Sequence, residues 1–500
     1  MIPSNSRSAP PKASALIEAL RGLGYTAAGA LADLIDNSIS AHAENVVILF
    51  FWDGPRSRIA ILDDGDGMDD DQLERAMRLG ERSPLDSRTT DDLGRFGLGL
   101  KTASFSQCRR LTVATRKGGT THCLRWDLDV LAASADGGWH LLEGPAPGSH
   151  SMLDHLNAVT TGTLVLWELL DRIVPSGFTE QDFLDLIDRI ESHLAMVFHR
   201  YLGGSRPRLR LMMNGRPVAP WDPFLAGHPA TWSSPVDYLA VHAGVIKVQC
   251  YVLPHKDRLS LQDYQSSAGP DGWTAQQGFY VYRNERLLVA GNWLGLGQTR
   301  PWTKEEAYRL ARIRLDIPNT ADAEWKIDIR KSTARPPMAV RGRLTRLAED
   351  TRERARRVFA HRGQIVPVAG GQLTQAWRAE HSTDGIRYRI DVNHPAVKAV
   401  LDDAGNLVPQ VTAMLRIIEE TIPVQRIWLD TTESKETPRT GFAGSAPAEV
   451  VGVLDVMYRN LTGRKGLSPK LAREQLLRTE PFNNYADLVM ALPDLLEPEK

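Results

Sequence analysis

The alternation of apolar and polar residues predicts a first domain that mixes helices with strands. From Ala13 to about Ala43 the apolar residues recur at helical spacing, with a break at the glycines of RGLGYT. The segments VVILFFW (46–52) and RIAILDD (58–64) predict two strands around a DGP turn. A helix is predicted for DDDQLERAMRLG (69–80), and further strands for RRLTVATRKGGTTHCLRWDLD and GTLVLWELL. We expect this α/β domain to occupy residues 1–175.

The pattern changes after this point and predicts three further regions. An amphipathic helix and the strands RLRLMMNGRPV, VIKVQCYVL and GFYVYRNERLLV indicate a second α/β domain over residues 176–336. A charged helix, RGRLTRLAEDTRERARRVFAHR (341–362), dominates a connector at 337–365. Residues 366–500 combine a strand-rich start with helical segments and predict a smaller mixed α/β region, to which no role is assigned. The fold class is therefore α/β in the α+β sense.

Composition and charge narrow the class of protein. With 500 residues, and roughly 100–200 residues per domain, about three domains are expected. Lysine plus arginine is 60 and aspartate plus glutamate is 61, so the net charge of −1 argues against a globally basic nucleic-acid binder. The three cysteines form no CxxC pair, and no apolar run approaches the roughly 18 residues of a membrane span. The polar start lacks the apolar core of a signal peptide, which favours a cytoplasmic protein without membrane contact.

Two acids and an amide stand together in DLIDNSISA (33–41), on a helix whose other face is apolar. Asp33, Asp36 and Asn37 fall within one helical turn of each other. The Asp33 carboxylate can orient or deprotonate a water, and the Asn37 carbonyl oxygen can ligate Mg²⁺, a cation that accompanies phosphates. The alternative is a helix with a solvated acidic edge.

A strand runs into an Asp- and Gly-rich turn in ILDDGDGMDD (61–70). Gly65 and Gly67 allow a tight turn and the close approach of a flat ligand. The Asp63 carboxylate can accept a hydrogen bond from an exocyclic amine such as that of adenine. The alternatives are an ordinary surface turn or a weak calcium loop, although the glutamate of an EF-hand loop is missing.

A third stretch, GRFGLGLKTAS (94–104), ends a long polar loop that begins near residue 81. Its glycines leave backbone N–H groups free to face phosphate oxygens, and Lys101 adds a positive charge where a helix begins. The spacing differs from a Walker A loop, and no βαβ unit supports a Rossmann fingerprint. An ordinary flexible loop remains the alternative.

These three motifs, followed by a Gly162-Thr163 pair that opens a strand, resemble the GHKL superfamily of ATPases in their order and spacing over about 130 residues. This superfamily includes gyrase, heat-shock chaperones, histidine kinases and MutL. The resemblance implies a two-layer α/β sandwich that binds ATP with Mg²⁺ and hydrolyses it.

The resemblance also implies a role for individual residues. Asp33 would be the general base, although most hydrolysing members carry glutamate, which is one methylene longer. Asn37 would be the Mg²⁺ ligand, and Asp63 and Thr163 would lie at the adenine. The other implied nucleotide contacts, with a lid at 80–94, are Gly65, Gly67, Met68, Gly94, Gly97, Gly99, Leu100, Lys101 and Thr102.

The second domain resembles the transducer domain of MutL and MORC proteins, so the resemblance covers residues 1–335. In those proteins a lysine of the second domain reaches the γ-phosphate. That role carries to Lys331, with Lys326 as the alternative. Either residue could instead be an ordinary solvated lysine on the surface. The loop GRFGLGLKTASFS is more similar to MORC proteins than to MutL, whose loop reads GFRGEAL.

The leading hypothesis is an ATPase switch that forms a homodimer when ATP binds. Similarity to bacterial MORC-like proteins implies protein partners from an antiphage or restriction-modification operon, and the helix at 341–362, with eight arginines against three acids, suggests contact with DNA. The alternatives are a nucleotide-gated scaffold that hydrolyses little, and a solvated helix without DNA. We do not expect a histidine kinase, since only about 30 residues precede Asp33, nor a topoisomerase, whose cleavage-site pattern is missing.

Overall fold

The fold is that of a computed structural model. It describes residues 12–22, 24–80, 99–242, 244–321, 324–328, 331, 333–360, 374–382, 385–427 and 447–494. The chain divides into two compact units, residues 1–363 and residues 364–500. The predicted lid at 80–94 and the glycines Gly94 and Gly97 therefore lie almost entirely outside the described residues.

The first unit begins with an eight-stranded sheet that carries the sequence motifs. Its strands are β1 (Asn45–Phe51), β2 (Arg58–Asp63), β3 (Arg110–Lys117), β4 (Thr120–Asp127), β5 (Leu142–Glu143), β6 (Gly162–Glu168), β7 (Arg210–Met213) and β8 (Arg216–Pro217). They lie in the order β5-β4-β3-β6-β2-β1-β7-β8, antiparallel except for the β1–β7 pair. The segment 210–217, predicted as part of the second domain, pairs here, so the first sheet continues beyond residue 176.

Helices cover both faces of this sheet. They are α1 (Ala13–Arg21), α2 (Ala27–Ser40), α3 (Asp70–Met77), α4 (Gly99–Phe105), α5 (Leu128–Ala133), α6 (His150–Leu153), α7 (Glu180–Val197) and α8 (His199–Leu202). One face packs on α2, α4 and α7 through a large apolar core, and the other packs on the segment 150–158 through a smaller one. Strand β2 is buried at five of its six positions, as expected for a strand covered on both sides. The predicted mixed α/β fold is confirmed.

A second sheet of six strands follows in the same unit. Its strands are β9 (Trp232–Ser233), β10 (Asp237–Val241), β11 (Gly244–Val252), β12 (Gly278–Arg283), β13 (Arg286–Asn292) and β14 (Ala311–Ile317), and a short helix α9 (Leu261–Ser266) lies between β11 and β12. Strands β12 and β13 form a hairpin whose turn residues, Asn284 and Glu285, both have positive φ, as in a type I′ turn. This hairpin brings Arg286 to the first position of β13.

The long helix α10 (Met338–Ala360) packs on the second sheet. Its apolar stripe, Val340, Leu344, Ala348 and Ala355, is buried in the same core as β11, β12 and β14. Arg352 falls within this stripe, 7% exposed, with its guanidinium 3.7 Å from the ring centre of Tyr308 and within 4.8 Å of two tryptophan rings, Trp293 and Trp302. The predicted helix exists, and its buried side joins the second sheet's core.

The second unit has a smaller core of its own. Strands β15 (Trp377–Ser382) and β16 (Gly385–Ile390) form a hairpin, and the helices are α11 (Pro395–Asp403), α12 (Val408–Glu420), α13 (Ala448–Arg459), α14 (Pro469–Leu476) and α15 (Ala486–Met490). Helices α11, α13, α14 and α15 contribute to the core. The predicted mixture of strands and helices is confirmed for this region. In the part of the chain that the structure describes, no helix combines the length and the apolar character needed to cross a membrane.

Replacing Arg352 with alanine is expected to lower the free energy of unfolding of the first unit by about 2–3 kcal/mol, because a desolvated guanidinium loses three aromatic faces and leaves a gap in the core. Urea unfolding followed by tryptophan fluorescence measures the change. The matched control is Arg356→Ala on the exposed side of α10, expected to stay within about 0.5 kcal/mol of the unchanged protein. If both variants lost the same free energy of unfolding, the three aromatic rings around Arg352 would not stabilise the protein.

Candidate functional site

Helix α2 carries the first motif and buries most of it. Thr26 caps the helix by accepting a hydrogen bond from the Gly29 N–H, and the apolar face joins the main core. Asp33 and Asp36 are buried as well, only 4% and 1% exposed, whereas Asn37 is exposed. The predicted cation ligand is therefore open to solvent, and the two acids need partners inside the protein.

Both acids contact cations from residues that lie far from α2 in the sequence. The Lys331 ammonium lies 3.0 Å from Asp33 Oδ1 and 2.5 Å from Asp36 Oδ2. The Arg286 guanidinium donates from Nε to both Asp36 oxygens, at 3.1 and 3.2 Å, and its Nη2 lies 3.8 Å from Asp33 Oδ1. Two carboxylates and two cations thus form a buried, charge-balanced group, which we call the acid–base cluster.

The surroundings of the acid–base cluster shift the pKa values of several of its groups and neighbours. Burial alone would raise the pKa of Asp36, but the Arg286 and Lys331 cations hold it below its usual range. The Tyr25 hydroxyl donates to Asp33 Oδ2 at 2.9 Å, and burial beside that carboxylate raises the pKa of the phenol, which stays a donor. Burial, with Arg286 nearby, lowers the pKa of His193 to about 4, so this ring adds no charge at neutral pH.

Asp63, the residue predicted to contact adenine, ends β2 and is held by three donors. Its Oδ1 accepts from the backbone N–H groups of Gly65 and Thr163, both at 3.1 Å, and its Oδ2 accepts from the Ser38 hydroxyl at 2.8 Å. Burial raises the pKa of Asp63 and these hydrogen bonds oppose that rise. A carboxylate has about four acceptor positions, and the described residues fill three of them.

The end of β2 meets the neighbouring strands at this point. Asp63 lies opposite Thr163 at the start of β6, and Thr163 lies opposite Thr115 on β3. The Thr115 hydroxyl accepts from the Met68 N–H at 2.8 Å, which ties the turn after Asp63 to the sheet. Gly67 has φ +63°, and a Cβ there would lie 2.2 Å from the Arg116 carbonyl oxygen. Only glycine fits that position of the turn.

The start of α4 contains the described part of the predicted phosphate loop: Gly99, Leu100, Lys101 and Thr102. Lys101 is buried, and its ammonium donates to the carbonyl oxygens of Ala76 and Arg78, both at 2.8 Å. These carbonyls belong to the C-terminal end of α3, where a cation is favourable. Lys101 therefore joins α4 to α3 in this arrangement, a partner that the sequence did not indicate.

The two lysines weighed for the phosphate role differ in position. Lys331 is buried in the acid–base cluster, and Lys326 is exposed. Sequence reasoning missed Arg286, Tyr25, Ser38 and Thr115. The serine that follows Asn37 was a visible signal, because it lies one turn from Leu34 on the buried side of α2. Nothing local to VYRNERLL marked its second arginine as the partner of a helix 250 positions away.

Known proteins match the part of the chain that carries the first three motifs. Residues 25–163 match the family model described as histidine kinase-, DNA gyrase B- and HSP90-like ATPase. A DNA mismatch repair protein MutL from Rhodospirillum rubrum is 33% identical over 125 residues, which is 25% of this chain and 18% of that protein. The chain thus spans about a fifth of that relative's length. Arg286 and Lys331 lie outside the family match.

Replacing Gly67 with alanine is expected to destabilise the first unit by more than about 2 kcal/mol, because a positive φ and a clash with the Arg116 carbonyl add together. Gly54→Ala is the matched control, since Gly54 has φ +54° and open space around its Cβ position. That control is expected to lose only about 1 kcal/mol. Thermal unfolding measures both, and equal losses would rule out the close approach at Gly67.

Proposed function

We propose that this chain, whose residues 25–163 match the model of the histidine kinase-, DNA gyrase B- and HSP90-like ATPase family, binds Mg-ATP and hydrolyses it slowly as a conformational switch. The observation that carries the proposal is the contact of Lys331 Nζ with Asp33 Oδ1 at 3.0 Å. It brings a cation beside the acid that would act on water. Phosphoryl transfer depends on such positioning and on neutralising the charge of the transferred group.

The adenine end of the nucleotide would lie against Asp63. Its remaining acceptor position suits the exocyclic amine, and the other positions are filled by Ser38, Gly65 and Thr163. The turn that follows Asp63 contains Gly67 and Met68, and the hydrogen bond from the Met68 N–H to the Thr115 hydroxyl holds this turn against the sheet. The phosphates would follow toward the start of α4, where Gly99, Leu100 and Thr102 stand.

Asp33 would orient and deprotonate the attacking water. Tyr25 holds one oxygen of this carboxylate, and the other faces Lys331. When the Lys331 ammonium turns to the terminal phosphate, that second oxygen becomes free to accept a proton. Aspartate reaches one methylene less far than glutamate, so the water must lie closer to α2, and we expect slow turnover.

Asn37 would hold Mg²⁺ together with phosphate oxygens. The residue fits this role, because it is exposed on the same helix as Asp33 and offers a neutral carbonyl oxygen. Among the described residues no group of three or more histidines, cysteines or acids is arranged to bind a metal. Bound there, Mg²⁺ would neutralise charge on the phosphates.

The switch would work through a homodimer that forms when ATP binds, and the resemblance to MORC and MutL proteins supports this step. The matched relative is named as a DNA mismatch repair protein, which supports work on or near DNA. An antiphage or restriction-modification system would be the setting, with partners encoded beside this chain. The alternative is a nucleotide-gated scaffold with little hydrolysis.

Asp33→Ala is expected to abolish Mg²⁺-dependent phosphate release while ATP binding remains, since it removes the base and leaves Asp63 intact. Light scattering should then detect a dimer of this variant that persists with ATP.

Asn37→Ala is expected to lose most Mg-ATP affinity in calorimetry, because the cation loses its protein ligand. Asp71→Ala, an exposed acid on α3, is the control and should behave like the unchanged protein.

The phosphate-release and binding measurements distinguish the ATPase switch from the nucleotide-gated scaffold. Turnover in the unchanged protein that Asp33→Ala abolishes supports the ATPase. Tight ATP binding without turnover in either would favour the scaffold. Failure of the unchanged protein to bind ATP would overturn both.

One feature of α10 favours DNA contact as a second function. Arg352 is buried, but five other arginines of this helix are exposed: Arg343, Arg346, Arg354, Arg356 and Arg357. Two of them share Glu353 as an ion-pair partner, and Arg354 lies over the Trp232 ring. Their excess positive charge suits phosphates, whose attraction is mainly electrostatic.

Changing Arg346 and Arg357 to glutamate is expected to weaken DNA binding at low salt by at least about tenfold and to flatten its salt dependence, since each arginine contributes to phosphate neutralisation. Fluorescence anisotropy with a labelled duplex measures the affinity. Arg75→Glu together with Arg206→Glu gives the same change of net charge at exposed positions away from α10 and serves as the control. If both pairs of substitutions weakened DNA binding equally, net charge alone would explain the effect. If neither pair changed DNA binding, this helix would not be a DNA contact.

A further inference from the structure

We propose that Arg286 is a positioning residue that makes Lys331 available to the terminal phosphate of ATP, by serving as the permanent counter-ion of Asp36. The inference rests on the proposed function and concerns regulation of the same site. It starts from the fact that one buried acid, Asp36, contacts both cations of the acid–base cluster.

Arg286 is held in place from several directions. Its Nε donates to both oxygens of Asp36, and its Nη1 donates to the Leu287 carbonyl oxygen at 2.7 Å. The guanidinium also lies 5.8 Å from the ring centre of Phe198. The hairpin that carries it is fixed at its tip, where the Tyr201 hydroxyl donates to the Asn284 carbonyl oxygen at 2.6 Å. A planar guanidinium with these contacts has little freedom to turn elsewhere.

Lys331 is held differently. Within the part of the chain that the structure describes, its ammonium contacts one oxygen of each acid, and it stands on a flexible four-carbon stem. Both contacts are ionic and directed at anions, so a phosphate that enters beside them competes for the same charge. Of the two cations, Lys331 is the one that can be exchanged.

The charge count shows why Arg286 matters for that exchange. Asp36 is 1% exposed, so it has to keep a cation when Lys331 turns to a phosphate. Arg286 supplies that cation. Without Arg286, the departure of Lys331 would leave a buried carboxylate unpaired, and Asp36 would therefore hold the ammonium back.

The experiment compares affinities for Mg-ATP and Mg-ADP by calorimetry, together with the single-turnover rate of hydrolysis. Arg286→Met removes the charge and keeps a long apolar side chain. This variant should fold, since Lys331 can still pair with Asp36. The informative partner is the double variant with Asp36→Asn, which removes both charges and frees Lys331 again. Arg286→Lys keeps the charge without the two-oxygen geometry.

We expect Arg286→Met to lose ATP affinity by about tenfold or more and to slow the single turnover, while ADP affinity changes by less than about threefold. The loss concerns ATP because only ATP has the terminal phosphate that Lys331 meets. The double variant should recover most of the preference for ATP, and Arg286→Lys should recover part of it.

The other results overturn the inference. If the single and double variants lose ATP affinity equally, or if ADP affinity falls as much as ATP affinity, Arg286 merely holds the second sheet against α2. If Arg286→Met behaves like the unchanged protein, Asp36 does not restrain Lys331. An unchanged protein that binds neither nucleotide would refute the proposed function itself, and the inference with it.

Discussion

Two buried carboxylates on one helix need cationic partners, and the arrangement of the first unit depends on that requirement. Asp33 and Asp36 lie among the apolar residues of α2, and their partners come from positions 250 and 295 residues further along the chain. Since an unpaired buried charge is far more costly than a paired one, the second sheet must remain close to α2. The same contacts that hold α2 to the second sheet therefore lie at the centre of the candidate site.

Local geometry explains why the turn after Asp63 could be predicted from the sequence. Asp63, Gly65 and Gly67 lie within five consecutive residues, and their roles follow from the end of a strand and the φ angle of a turn. The helix with Asp33 and Asn37 was predictable for the same reason, because spacing along one helix determines which side chains share a face. The lid with Gly94 and Gly97 lies outside the described residues, so its part of the prediction stays a prediction.

Features formed across long separations could not be read in the same way. Strand β7 pairs in parallel with its neighbour β1, although strands β2 to β6 separate the two along the chain, and no local pattern assigns a short apolar run to one sheet rather than another. Arg286 follows a turn typical of any hairpin. Arg352 is an intermediate case: it stands four residues after Ala348 and three before Ala355, so the helical spacing placed it on the buried side. Its charge suggested solvent or DNA, and the aromatic rings that enclose it were not visible in the sequence.

The two ends of the candidate site are built from different kinds of contact, and this difference bears on how a nucleotide could act as a signal. At Asp63 the donors are backbone N–H groups and one hydroxyl, fixed by the pairing of β2 with β6. At Asp33 and Asp36 the partners are cations, and cations can exchange one anion for another without moving a strand. Under the proposed function, the second end is the one that would respond to an added phosphate, since its contacts are of the kind that a phosphate competes for. Binding of the base would thus leave the contacts around Asp63 in place. Binding of a terminal phosphate would redistribute the charges that join α2 to the second sheet.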